Sequence, residues 1–233
     1  LKSALTAVYY IMLNSYINEF NIEQTVLDKI WKDIYENAKV AFSNSGGADS
    51  SFSFQPDSLT SDIMAHELLH NITDVYLGAE KNLTSSAFAE FSSDIAKIVL
   101  CQQLGIDIPS DLKDRYKEYA AYIKAGAVPL EEHYLARGII GLIMEVSADA
   151  GRNINWNNMM SAVSQCLQNA DFVNLINSNN FNKVFALVLE KYFEINTGKQ
   201  IDGVDVLTEQ TSELYDNIIK LLTPQLTMIW LSK

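Results

Sequence analysis

The chain has 233 residues, 48% of them hydrophobic and 20% charged, with 10 Gly and 4 Pro. That balance belongs to a folded globular protein and excludes a disordered or low-complexity chain. Its 17 Lys+Arg stand against 29 Asp+Glu, a formal charge of −12, and no basic patch offers phosphate contacts, which excludes nucleic acid as a partner.

The densest basic stretch, Lys113 to Lys124, is interleaved with Asp114 and Glu118 and reads as a solvated helix face. The apolar run Ile139 to Met144 is the kind of stretch the chain offers a membrane, far short of the ~20 residues needed to cross one. The opening Leu1-Lys2-Ser3 has no initiating Met, and the apolar stretch behind it carries Asn14, Tyr16 and Asn18 without a basic leader. It reads as the start of a trimmed or processed chain, part of a larger polypeptide, and not as a secretory signal.

In chain order, Leu5, Val8, Tyr9, Met12 and Tyr16 recur at three-to-four-residue spacing and predict a helix over 4–20. Val26, Ile30 and Ile34 predict a second over 23–37. The period then shortens: Val40, Phe42, Phe52 and Phe54 alternate with polar residues around a reversal at 43–49 containing Gly46-Gly47, which predicts a β-hairpin. From Pro56 onward the periodicity predicts helices over 59–77, 84–104, 110–125, 132–149, 155–168, 181–195, 208–222 and 224–231. Ser110 is the expected N-cap of the helix after Pro109, and Gly78, Gly105, Gly126 and Gly151 fall just past helix ends. The fold class is α+β, predominantly α-helical, with a small N-terminal β-hairpin or sheet. Residues 1–79 form an N-terminal lobe with the hairpin and the active-site helix, and 80–233 a helical C-terminal lobe, together one domain. Cys101 and Cys166 lie inside apolar helical patterns and read as buried free thiols that leave the compartment open. The sequons at Asn71 and Asn82 read as chance, the first lying inside a predicted helix.

The chemistry concentrates in His66-Glu67-Leu68-Leu69-His70, a His-Glu-x-x-His pattern on the helix predicted over 59–77. Positions i and i+4 share one helix face, so two imidazoles can aim at one cation, while Glu67 stands beside it free to handle a proton. A catalytic zinc site needs a third protein ligand. Glu90 is the best candidate, twenty residues past His70 on the next predicted helix. Asp94, one turn further on, can accept the outer N–H of a ligand histidine, fixing its tautomer.

Together with Ile63-Met64-Ala65, Thr73-Asp74, Gly78, Ala87 and Ser93-Asp94-Ile95, these residues resemble the thermolysin-type zinc peptidases, zincins whose third ligand is a glutamate. The match runs without a gap over 63–95, and Pro56 and Asp62 also fall where that family has them. Outside that span the similarity is one of element order, and the family's large N-terminal β region is absent, so the chain would be a minimal and divergent member. The resemblance implies a zincin-like fold, one Zn²⁺ held by His66, His70 and Glu90, Glu67 as general base, and a peptide or protein substrate lying extended along the strand near Ser51 to Gln55. It also implies that His133, the remaining histidine, stabilises the developing oxyanion, with Asp94 behind a ligand histidine. Lys81 stands where the family often has an oxyanion-binding tyrosine; Lys81, Tyr76 and Tyr134 are the candidate donors in its place. Ala89 replaces the usual Asn before the third ligand, and the family's calcium-binding acids have no counterpart, Asp107 being the acid that 95–109 offers, so calcium is not expected. Such peptidases are commonly exported, and an exported place is what the resemblance implies. The departures also leave a second reading, a catalytically inactive zincin-like domain acting as a protein-interaction module.

Overall fold

A computed structural model of the chain describes residues 1–40, 48–49, 51–78, 82–125, 131–149 and 153–197. The helices predicted over 208–222 and 224–231, Phe42, Gly126, Gly151 and Lys81 lie outside the described residues. Among the described residues the fold is predominantly helical with a very small sheet.

The first helix, α1 (Lys2–Ser15), stops short of its predicted end at residue 20. The Ser15 hydroxyl donates back to the Ile11 carbonyl at 2.7 Å, a bond that competes with the regular ladder. Tyr16 then leaves helical geometry, and one 3₁₀ turn, Ile17–Phe20, ends at Asn21 in the left-handed region. The next helix, α2 (Gln24–Asn37), buries Leu27, Ile30 and Ile34 on one face as their spacing predicts.

Three two-residue strands follow, β1 (Lys39–Val40), β2 (Ala48–Asp49) and β3 (Ser53–Phe54), in the order β1-β3-β2. The predicted hairpin between Val40 and Phe54 is corrected here. Val40 runs parallel to Phe54, and the antiparallel partner of β3 is β2, with Ala48 opposite Phe54 and Asp49 opposite Ser53. Alternation reports which residues share a face; it does not report the direction of the partner. The tighter reversal places Phe52 at φ 61°, a strained conformation for an aromatic residue, with its ring only 1% exposed. Because Ser53 and Phe54 are paired on both sides, a substrate strand cannot be added beside these two residues; among the described residues the outer edges belong to β1 and β2.

Two long helices hold the centre: α3 (Ser61–Leu77) and α4 (Leu83–Gln103). Buried residues surround α4 on nearly every side, as expected of a helix wrapped by neighbours. Its start is fixed by a capping box between Asn82 and Ser85. The Asn82 amide also donates to the carbonyls of Ile176 and Asn177 at 3.0 and 3.1 Å, so its side chain is committed to structure.

The remaining helices are α5 (Ser110–Lys124), α6 (Glu132–Asp149), α7 (Trp156–Leu167), α8 (Ala170–Asn177) and α9 (Phe181–Thr197). In α5 the N-cap position belongs to Pro109, and Ser110 is already helical, against expectation. α8 is an element the periodicity did not predict; the Asn169 side chain starts it by accepting from the amides of Asp171 and Phe172. Phe88 and Phe91 of α4 pack on Phe172 of α8 and Phe185 of α9 with ring centroids 5.2–6.1 Å apart. On the other side α5 and α6 touch backbone to backbone at Gly141, where an added Cβ would lie 2.0 Å from the Tyr116 carbonyl oxygen. Cys101 and Cys166 are buried free thiols. No helix among the described residues is long and apolar enough to cross a membrane.

Candidate metal centre

The two histidines leave the same face of α3, one turn apart, with their Nε2 atoms 3.1 Å from each other. Glu90, from the middle of α4, closes the set: its Oε2 is 3.1 Å from His66 Nε2 and its Oε1 3.2 Å from His70 Nε2. All three side chains are largely withdrawn from solvent. The sequence expectation that these three residues converge is met in the folded chain.

Behind them, Asp94 Oδ1 lies 3.0 Å from His66 Nδ1. A carboxylate can only accept there, so Nδ1 carries the proton and the Nε2 lone pair faces Glu90 and His70. Lone pairs and a carboxylate meeting in a buried spot repel one another unless a cation lies between them. In the bare chain a proton fills that need. Burial works against the charge, but hydrogen bonds to Asp94 and Glu90 outweigh it and lift the His66 pKa to about 9. Glu90 is likewise opposed by burial yet held well below the usual carboxylate range by His66 and His70.

A metal suits the same atoms. Tetrahedral zinc with N and O ligands at 2.0–2.1 Å sets them about 3.3 Å apart; here the two Nε2 atoms are 3.1 Å apart and each lies 3.1–3.2 Å from a different oxygen of Glu90, and one ligand atom from each residue can be chosen with all three within 4.8 Å of one another. Two imidazoles and one carboxylate are also the donor set of an open, catalytic zinc site.

Asp94 ties four helices together. Its Oδ1 also lies 3.4 Å from Lys97 Nζ of α4, and its Oδ2 accepts from Arg137 Nε of α6 at 3.4 Å. Burial opposes its charge, but Lys97, His66 and Arg137 hold the carboxyl well below its ordinary range. Tyr116 of α5 borders the same carboxylate, and burial together with that charge pushes the phenol well above its usual value. Lys97 and Arg137 were not singled out from the sequence. The available signals were a lysine inside the otherwise apolar 95–100 stretch and an arginine four residues, one helical turn, after His133.

Glu67 is buried beside the trio, and that burial raises its carboxyl pKa, while charge on His66 and His70 would pull it down. His133, in the first turn of α6, reaches the same place: its Nε2 is 3.4 Å from Glu90 Oε1. Its Nδ1 contacts the Glu131 carboxylate, whose other oxygen accepts from the Tyr134 amide at 3.1 Å. Two suggested oxyanion donors have other contacts. The Tyr76 hydroxyl donates to the Phe20 carbonyl, and the Tyr134 ring stacks on Tyr119 with centroids 4.5 Å apart. The chain matches no protein-family profile, no curated protein and no solved structure.

Proposed function

We propose that the chain is a zinc-dependent endopeptidase of the glutamate-zincin type. The observation that carries the reading is the convergence of His66 Nε2, His70 Nε2 and the Glu90 carboxylate within 3.1–3.2 Å; three protein ligands would leave zinc one position for water or substrate. Bound there, zinc would acidify a water and polarise the scissile carbonyl.

The protein's own groups would do the rest. Glu67 takes the proton of the attacking water and passes it to the departing amine, for which a carboxyl with a raised pKa is well suited. Asp94 keeps the His66 proton on Nδ1, so Nε2 stays available as a ligand. His133, oriented by Glu131, donates to the oxyanion of the tetrahedral intermediate, a contribution of about 3 kcal/mol in such sites. The strands before α3 would flank the substrate on one side and α6 on the other.

The test combines metal analysis of the purified chain with a broad peptide library, read by mass spectrometry with and without a chelator. Stoichiometric zinc and chelator-sensitive cleavage are expected. Zinc without any cleavage would favour the interaction module, and a chain that binds no zinc would overturn the reading.

A further inference from the structure

Lys97 is an uncommon residue for its position: a lysine 8% exposed, one helical turn past Asp94 on the central helix. Arg137 already balances the charge of Asp94 through Oδ2. Lys97 adds a second cation, and it does so at Oδ1, the oxygen that accepts the His66 Nδ1 proton. Asp94, Lys97 and Arg137 together therefore carry a net positive charge directly behind a cation-binding trio. Asp94 alone would need only one cation; the second also acts on the nearby Glu67 carboxyl, whose pKa it draws down against burial, and it opposes metal binding.

Resting on the zinc reading above, we propose that Lys97 is a positioning residue that limits how strongly Asp94 draws on the His66 ring, and so holds zinc affinity below what the trio alone would reach. The physical route has two parts of the same sign. Lys97 occupies part of the Oδ1 charge, which makes His66 a poorer donor to the metal. Its own charge also repels a divalent cation across one imidazole. A weaker donor set leaves the metal more electron-poor, so the same residue favours polarisation of the substrate carbonyl.

The experiment measures the zinc Kd of the full chain by competition with a chromophoric chelator, a readout independent of turnover. Lys97→Met should bind zinc on the order of tenfold more tightly than wild type, and Lys97→Arg, which keeps the charge, should match wild type. A merely structural lysine would give the opposite sign, since loosening Asp94 weakens the site. Circular dichroism checks folding, and Lys97→Gln replaces the Met variant, with the same expectation, if that one does not fold. Equal or weaker zinc binding by the folded neutral variant, with wild type binding normally, overturns the role of Lys97 and leaves the zinc reading standing. Absence of zinc binding by wild type sinks both.

Discussion

Asp94 Oδ1 and His66 Nδ1 are 3.0 Å apart on two different helices, and that bond decides which imidazole nitrogen faces Glu90. The carboxylate is 1% exposed, so it is a buried anion whose partners, the buried Lys97 and the partly buried Arg137, would be left as uncompensated cations without it. Asp94→Ala is expected to destabilise the metal-free chain by about 3–5 kcal/mol, the usual cost of breaking a buried pair on one side. Zinc affinity should fall roughly 10–100-fold, because His66 loses the group that orients it. Urea unfolding and chelator competition measure the two effects separately. Unchanged zinc affinity would show that α3 alone orients the ring.

Glu67 separates chemistry from binding. Glu67→Gln keeps the shape of the side chain and removes its ability to accept a proton. Peptide cleavage should fall by about 10²–10⁴-fold while zinc stoichiometry stays at one. Stability should hold or rise at neutral pH: a buried carboxyl with a raised pKa is costly to ionise, and the amide avoids that cost. Thermal melts of both proteins, run beside the peptide assay, test the pair of outcomes. Wild-type turnover by the variant would remove Glu67 from the mechanism.

How much of this was legible beforehand differs from element to element. The bounds of α6 were readable from its apolar period, and the convergence of His66, His70 and Glu90 from a five-residue pattern plus a carboxylate on the next helix. Asp94 was readable too, since a residue one turn past Glu90 must share its face. α8 was missed because Phe172 and Ile176 span one turn only, too short a run for periodicity to register. The direction of β1 was missed because two residues carry no information about their partner. Lys97 was missed for a third reason. Its burial comes from the helices packed around α4, and the apolar 95–100 stretch around it hints at an internal position without identifying the carboxylate that holds it there.

The same charges predict opposite behaviour on the two sides of neutrality. His66 in the bare fold has a pKa of about 9, raised by Asp94 and Glu90 against burial and against Lys97. Its stabilising contribution is fully present below its unfolded value of about 6.5 and is lost as the pH climbs through 9. Asp94 and Glu90 are held low, so their contribution is present above about 4 and lost as the pH falls through the acid range. Metal-free protein should therefore be most stable between about pH 5 and 6.5. Zinc must displace the His66 proton, so apparent affinity should rise up to tenfold per unit across roughly pH 6.5 to 9. Calorimetry in buffers of different ionisation enthalpy counts that proton; release of none at pH 7 would contradict the assignment.

Gly138 and Gly141 of α6 make a matched pair for testing what aligns that helix with the site. An alanine Cβ at 138 would meet Ile123 Cδ1 at 2.4 Å, the far end of a side chain, and the Tyr119 carbonyl oxygen only at 3.1 Å. At 141 it would meet the Tyr116 carbonyl oxygen at 2.0 Å and the Ala120 Cβ at 3.0 Å, which only separation of α5 from α6 can relieve. Gly138→Ala is expected within about 1 kcal/mol of wild type, since alanine's better helix propensity offsets part of the crowding. Gly141→Ala should cost about 3 kcal/mol. Because α6 also carries His133 and Arg137 to Glu90 and Asp94, the second variant should lose cleavage activity beyond its loss of stability. Zinc binding, which rests on α3 and α4, should survive in it. Equal stability of the two alanine variants, measured by urea unfolding, would mean that α5 and α6 can part without cost, and the close contact at Gly141 would then have no part in aligning α6.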